Sequence, residues 1–356
     1  MMSSKTYVGM DIHQSAISVA VRDGAGKLIM ESTIETKAAT ILAFIGGLRG
    51  SVAVTFEEGT GAGWLHDLLQ PHVADVVVCN PRRNALLKGG NKNDKVDARK
   101  LSELLRAGLL SPVYHGEHAV RTLKELARSY LALTNDLTRV MNRIKGVYRS
   151  WGIPCSGRGV YLSSHRDDWL AKLPHPGVRR RADRLYEQLD DLRPLRQEAR
   201  NELVVESRKH AACKLLREIP WLGPIRVALV IALMQTPHRF RSKRQLWAYC
   251  GLALETRVSG EYRFADGELQ RSTKRAIPRG LNENHNHDLK NVFKGAATRA
   301  STGTGPFQDF YAALLAKSMR PSMARLTLAR KIAAVTLAVW KKGARFDGAQ
   351  LKSQAA

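Results

Sequence analysis

Between Thr6 and about Asn80 short apolar, β-branched runs alternate with turns and with stretches of helical spacing. The runs TYVGMDI, AISVAVRD, KLIMESTI, VAVTFE and ADVVVCN predict five strands. Gly24, Ala25 and Gly26 between the second and third run predict a hairpin. AATILAFIGGLRG and GAGWLHDLLQ predict helices between the later strands. The order is therefore a three-strand meander followed by alternating helices and strands.

Beyond NPRRNALLKGGNKNDK the period changes. A helix is predicted from about Asp94 to Ala107, and a second begins near His118. In that second helix Leu123, Ala127, Tyr130, Thr134, Leu137, Met141, Ile144 and Tyr148 recur at steps of three and four. Leu185, Leu189, Leu192, Ala199 and Leu203 repeat the spacing, so the two helices predict an antiparallel coiled-coil hairpin. The glycines and prolines between Trp151 and Val178 predict a loop or short helices. From Leu215, LLREIPWLGPIRVALVIALM has the form of a helix-hairpin-helix whose glycine turn would let backbone amides approach a phosphate. The remainder reads as mostly helical. The expected division is 1–115, 116–211 and 212–356, α/β followed by α: a ribonuclease-H-like mixed sheet, a helical spacer and a C-terminal helical domain.

Charge changes this picture most. Lys and Arg number 57 against 32 Asp and Glu, a formal net charge of +25. So large an excess repels itself unless a polyanion neutralises it, which points to nucleic acid. Cys79, Cys155, Cys213 and Cys250 lack any zinc-like spacing and fit a reducing cytoplasm. The apolar runs VALVIALM and IAAVTLAVW are too short to span a bilayer, so the expectation is a cytoplasmic protein without membrane attachment.

Against the basic background a few acids stand out. Asp11 closes the first strand, where a carboxylate costs sheet stability unless it caps a turn or holds something. Glu57 and Glu58 follow the fourth strand, and alternation alone does not choose between them. Asp94 and Asp97 are three residues apart on a helix and share a face. Each acid alone has a plain role as a cap or loop residue. Together they would repel unless cations sat between them, and carboxylate oxygens suit Mg²⁺. Two such ions activate a nucleophile and stabilise a leaving oxygen at a phosphodiester.

In order and spacing, GMDIHQSAISVAV, EEGTGAGWLHDLL, VVVCNPRRNALLKGGNKNDKVDARKLSELLRAG, IPWLGPIRVALVIALM, RFRSKRQLWAYCGLALETRVSG and ARLTLARKIAA resemble transposases of the IS110 type, IS1111 subgroup included, over nearly the whole chain. The resemblance implies a RuvC-like domain whose Asp, Glu, Asp, Asp metal set falls on Asp11, Glu58, Asp94 and Asp97. Glu58 is preferred over Glu57 because Thr60 and Gly61 complete the family's pattern. It also implies a C-terminal nucleophilic serine, placed at Ser259 in RVSGEY, with Ser272 in QRSTKR as the competing position. Further implied are strand exchange on double-stranded DNA under a bridge RNA, and a homo-oligomer, a dimer that assembles into a tetramer on DNA. Gly280 with Asn282, and Lys290, stand where the family has its Gly-Asn and Leu-Arg pattern.

Lys92, Lys95 and Arg99 beside the acidic pair, and Arg241, Lys243 and Arg244 before LWAYCG, are the candidate phosphate contacts. Arg82, Arg83, Lys88 and Arg239 extend the same two runs. His285 and His287 in NHNHD would point apart on a helix and read as polar loop residues or phosphate contacts. The alternatives are a RuvC-like nuclease that uses the acids with water, an actin-like kinase sharing the strand order, and an inactive nucleic-acid-binding protein. The kinase reading lacks a glycine soon after Asp11, where His13 and Gln14 stand, and lacks a second phosphate loop.

Overall fold

The computed structural model describes residues 5–84, 93–115, 120–257, 262–265, 268–271 and 277–352. They form two compact units, Met1–His115 and Gly116–Ala356.

In the first unit β1 (Lys5–Ile12), β2 (Ala16–Arg22), β3 (Leu28–Glu35), β4 (Ser51–Glu57) and β5 (Asp75–Cys79) make one sheet in the order β3-β2-β1-β4-β5. β2 runs antiparallel to both β1 and β3, while β4 runs parallel to β1 and β5 parallel to β4. That is the ribonuclease-H-like mixed sheet expected from the strand order. Helices α1 (Ala38–Gly46) and α2 (Ala62–Leu69) connect the later strands. Ile41, Ile45, Leu65 and Leu69 bury against Val8, Met10, Val54 and Phe56. Complete burial of each such side chain is worth ~1.5–3 kcal/mol.

A single helical turn, α3 (Pro81–Asn84), follows β5, and α4 (Asp94–Arg106) lies on the sheet's other face with Ala98, Leu101 and Leu104 buried. The chain then returns along β5, where the Asn80 N–H donates to the Ser111 carbonyl and the Val113 N–H to that of Val78. This return covers a sheet edge that would otherwise be open to pairing.

The second unit is mainly helical. Helices α5 (Arg121–Ser150) and α7 (Pro176–Ser207) pack antiparallel: the Tyr148 and Tyr186 hydroxyls meet at 3.0 Å, and Arg196 reaches Thr134 and Tyr130 further along. Between them lie two 3₁₀ turns and α6 (Arg166–Ala171), whose Trp169 stacks edge-on against Tyr148. Burial raises the pKa of both tyrosines, so the hydroxyl pair stays neutral.

The far ends of α5 and α7 join a larger core built on α8 (Ala211–Leu216), α9 (Pro224–Met234) and α10 (Lys243–Tyr249). The turn between α8 and α9 differs from the sequence expectation in its mechanics. Its left-handed residue is Trp221 (φ 68°), whereas Gly223 is extended and caps α9. Arg226 holds the Trp221 carbonyl at 3.0 Å, and any side chain at Gly303 would overlap the Trp221 ring. Packing, rather than glycine freedom, therefore sets this turn.

Short strands follow that the sequence pattern did not signal: β6 (Leu254–Arg257), β7 (Tyr262–Ala265), β8 (Glu268–Arg271) and β9 (Ile277–Leu281). β6 pairs antiparallel with β9, and β7 with β8. Helices α11 (His287–Ala300), α12 (Pro306–Ala316), α13 (Pro321–Lys342) and α14 (Ala349–Lys352) complete the unit. The four cysteines are buried and form no disulfide. Among the described residues no helix is long and apolar enough to cross a membrane.

Candidate functional site

Strand β1 enters the site through a glycine. A Cβ at Gly9 would lie 2.3 Å from the Ala98 carbonyl oxygen and 2.4 Å from the Ser102 nitrogen. The missing side chain thus lets the α4 backbone lie directly on β1. Ser102 secures the crossing, accepting from Arg22 Nε at 3.2 Å and donating to the Arg99 carbonyl at 2.8 Å. Two residues beyond Gly9, and so on the same face of the strand, is Asp11.

The start of α4 faces that acid. The Asn93 side chain caps the helix by accepting from the Lys95 N–H at 3.1 Å. Capping is therefore not the task of Asp94, whose carboxylate is largely exposed. Asp94 and Asp97 occupy the first turn, where negative charge is favoured by the helix dipole. The turn closed by the His13 N–H on the Ala16 carbonyl brings His13 back over the strand end. Its Nε2 lies 3.4 Å from Asp11 Oδ2 and 3.5 Å from Asp94 Oδ2.

Donor atoms of Asp11, His13 and Asp94 all fall within 4.8 Å of one another. Two carboxylates and an imidazole with ligand atoms this close together are a donor set that suits a divalent cation. His13 is the residue that the sequence reading passed over as a possible ligand. The only signal would have been its position two residues after Asp11, which gains meaning once the chain turns there.

The other acids are disposed as follows. The last paired rows of β1 and β4 set Gly9 beside Thr55 and Met10 beside Phe56. Asp11 and Glu57 come next, on the face that α4 covers. Glu58 lies just past the strand, exposed, its N–H donating to the Cys79 carbonyl at 2.9 Å. Asp97 is half-buried one turn into α4, with its N–H bonded to the Asn93 carbonyl at 2.8 Å.

Of the basic candidates, Lys95 is exposed at the helix start. Arg99 is held by Glu31, with Nε to Oε1 at 2.5 Å and Nη2 to Oε2 at 2.6 Å. That fork lowers the Glu31 pKa and raises that of Arg99, so Arg99 meets an internal acid before any phosphate. Arg241, Lys243 and Arg244 are exposed around the start of α10, which Ser242 caps. Lys92, Ser259 and Ser272 lie outside the described residues, as do Lys88 and most of the stretch that carries the two serines.

His285 and His287 do not point apart, because His285 precedes α11 rather than belonging to it; their ring centroids are 4.2 Å apart. His285 lies over Gly251, which has φ 62° and where a Cβ would meet the imidazole at 2.3 Å. The Lys290 ammonium donates to His285 Nε2 at 3.2 Å. Burial and the Lys290 charge hold the His285 pKa below the usual histidine range.

Two family models define the class. The transposase model DEDD_Tnp_IS110 matches residues 8–150, and the model of transposases of the IS116/IS110/IS902 family matches residues 213–283. The chain belongs to the IS110-type transposase family. A particular relative is the transposase for insertion sequence element IS1111A of Coxiella burnetii (strain RSA 493 / Nine Mile phase I). It is 22% identical over 262 residues, which cover 73% of this chain and 71% of that protein. The chain is thus a DNA-acting enzyme, and its excess positive charge has a polyanion to meet.

Proposed function

We propose that this transposase cuts and rejoins DNA through a covalent phosphoserine formed by Ser259, assisted by a divalent metal, Mg²⁺ as the first choice, at Asp11, Glu58, Asp94 and Asp97. The observation that carries the metal half is the convergence of Asp11, His13 and Asp94 at the end of β1. A cation held there would polarise a phosphate oxygen and favour loss of the serine proton. The carboxylates anchor and orient; His13 adds a nitrogen donor, which widens the choice from Mg²⁺ toward Mn²⁺. Glu58 follows the family pattern through Thr60 and Gly61, and Glu57 shares the α4 face with Asp11, so both belong in any mutational set.

The serine half rests on the family resemblance and on the match across residues 213–283. The Ser259 hydroxyl oxygen bonds to phosphorus and gives up its proton, and the DNA 3′-oxygen leaves and takes a proton. The linkage conserves the broken bond's energy for rejoining, so no nucleotide cofactor is needed. Exposed Lys95, Arg241, Lys243 and Arg244 neutralise backbone phosphates, with Lys92 and Arg99 as further candidates, and sequence choice is delegated to a bridge RNA. The working assembly is a homo-oligomer, a dimer that forms a tetramer on DNA, in which one subunit's serine completes another's acidic site. The three-part division at 115 and 211 and a cytoplasmic, nucleoid-associated setting belong to the same reading.

The test is covalent trapping. Wild type, Ser259→Ala and Ser272→Ala are incubated with Mg²⁺, the element's DNA ends and its flanking RNA. An adduct lost only in Ser259→Ala is expected. Cleavage by wild type without any adduct would instead identify a nuclease that uses water. Omitting the RNA should suppress strand exchange, and exchange at full rate without it would remove the guide.

A further inference from the structure

In the second unit a cleft of about 560 Å³ opens between α10, α12, α13 and the C-terminal α14. This is the size of sites that take small ligands, and far too narrow for a duplex. Trp247, Phe310 and Phe346 supply rings, while the small residues Ala334 and Ala338 of α13 leave part of the wall flat. Lys243 lies over the Trp247 ring at 5.8 Å, and Lys331 over the Phe310 ring at 5.5 Å. Trp247 is fixed by its Nε1, which donates to the Arg330 carbonyl at 2.9 Å.

The charge of the cleft is one-sided. Lys243, Arg330, Lys331, Lys342 and Arg345 line it against a single lining acid, Asp347, whose Oδ1 is engaged by the Ala349 N–H; Arg345 also pairs with Glu218 at 3.7 Å. Arg330 Nε is bound to the Leu252 carbonyl at 2.6 Å, and its Nη2 is buried with no hydrogen-bond partner. Burial and the neighbouring Lys243 both press Lys331 toward its neutral form, as crowding of like charges does.

We propose that this cleft captures one unstacked nucleotide of a single-stranded segment, the base against Trp247, Phe310 and Ala338 and the phosphate on Lys243 and Lys331. Flat apolar rings beside cations match a nucleotide's two halves, and base stacking on aromatic side chains is tolerant of sequence. An acidic peptide would use the cations and leave the rings unfilled. The inference goes beyond the cutting chemistry: it shares Lys243 with the backbone-phosphate contacts proposed above but involves neither the acidic edge nor the serine, so it stands or falls apart from the cutting step.

Binding of fluorescent single-stranded RNA, single-stranded DNA and duplex DNA of equal length is measured by anisotropy with the full-length protein in EDTA, so that no metal-dependent cutting intervenes. Ala338→Phe fills the cleft from an exposed position without altering charge. It is expected to weaken single-strand binding about tenfold and duplex binding by less than about twofold. Lys331→Glu should weaken both, with the larger effect on the single strands. Preference for the RNA or the DNA single strand identifies which nucleic acid supplies the nucleotide. Single-strand affinity unchanged in Ala338→Phe, equal losses for duplex and single strand, or displacement of the oligonucleotide by a poly-glutamate peptide as effective as unlabelled strand would each overturn the proposal. Photo-crosslinking of a thiouridine-bearing strand should map to the peptide containing Trp247 in wild type and not in Ala338→Phe.

Discussion

The edge of the first unit and the corner of the second around Gly251 are both made possible by a glycine, yet they are built for different ends. At Gly9 the missing Cβ lets a helix backbone lie on a strand, and the result is a concentration of carboxylates at the strand end. At Gly251 the left-handed backbone and missing Cβ make room for the His285 ring, and the result is a cation pressed against an imidazole. One glycine gathers negative charge that needs a cation. The other seats a lysine cation beside an imidazole. A basic enzyme acting on a polyanion has use for both: cations to hold phosphates without cutting them and, on the function proposed above, one acidic place that would hold a metal.

The comparison is broken most severely by removing the acid at the strand end. Asp11→Ala is expected to lower metal-dependent strand exchange on the order of a thousandfold. DNA and RNA binding at low salt should be retained, because the basic surface is untouched. Thermal melting checks that the fold persists, and calorimetric Mn²⁺ titration checks that cation binding weakens. Full activity in this variant would remove the acidic-edge argument.

A smaller effect, and one that tests position rather than chemistry, comes from Gly9→Val. No acid is lost, but α4 must move off β1 because its backbone occupies the space a side chain would need. Overpacking of this kind costs ~1–3 kcal/mol. Metal-dependent exchange should fall well beyond what the loss of stability explains, since Asp94 is carried by the displaced helix. Melting temperature and exchange rate measured together separate the two contributions. Gly9→Ala should show the same pattern in weaker form.

These effects bear on how much could be read from residues alone. Short apolar, β-branched runs marked the strands of the sheet because its central strands are buried on both faces, and steps of three and four specified α5 and α7 because one face of each helix is buried. The carboxylates stood out because Asp is disfavoured in strands and acids are outnumbered in a basic chain. His13 did not, because a residue's return over a strand depends on a turn that no periodicity marks. The Trp221 turn was misattributed to Gly223, since its left-handed residue is held by Arg226 and by the room at Gly303, both remote in sequence. The strands β6 to β9 are short, and a short polar strand takes its conformation from its partner rather than from its own pattern.

The smallest expected effect concerns the second corner and is read by pH. In the folded chain Nε2 of His285 accepts from the Lys290 ammonium, so adding a proton there would set two donors against each other. Burial, Lys290 and His287 together hold the His285 pKa below that of the unfolded chain, whose histidines titrate near pH ~6.5. Below that value the unfolded state binds the proton more readily than the folded state does. Stability supplied by neutral His285 is therefore fully present above pH ~6.5 and is lost as pH falls toward the folded-state pKa. Because the ring is partly open to solvent, the loss is small, about a degree or two in melting temperature. Wild type and His285→Gln are therefore melted side by side at constant ionic strength between pH 8 and pH 5.5. The wild-type curve should fall more steeply below pH ~6.5 than that of the variant. Parallel curves would mean that the imidazole at Gly251 only fills space, and that the cation beside it gains nothing from a neutral neighbour.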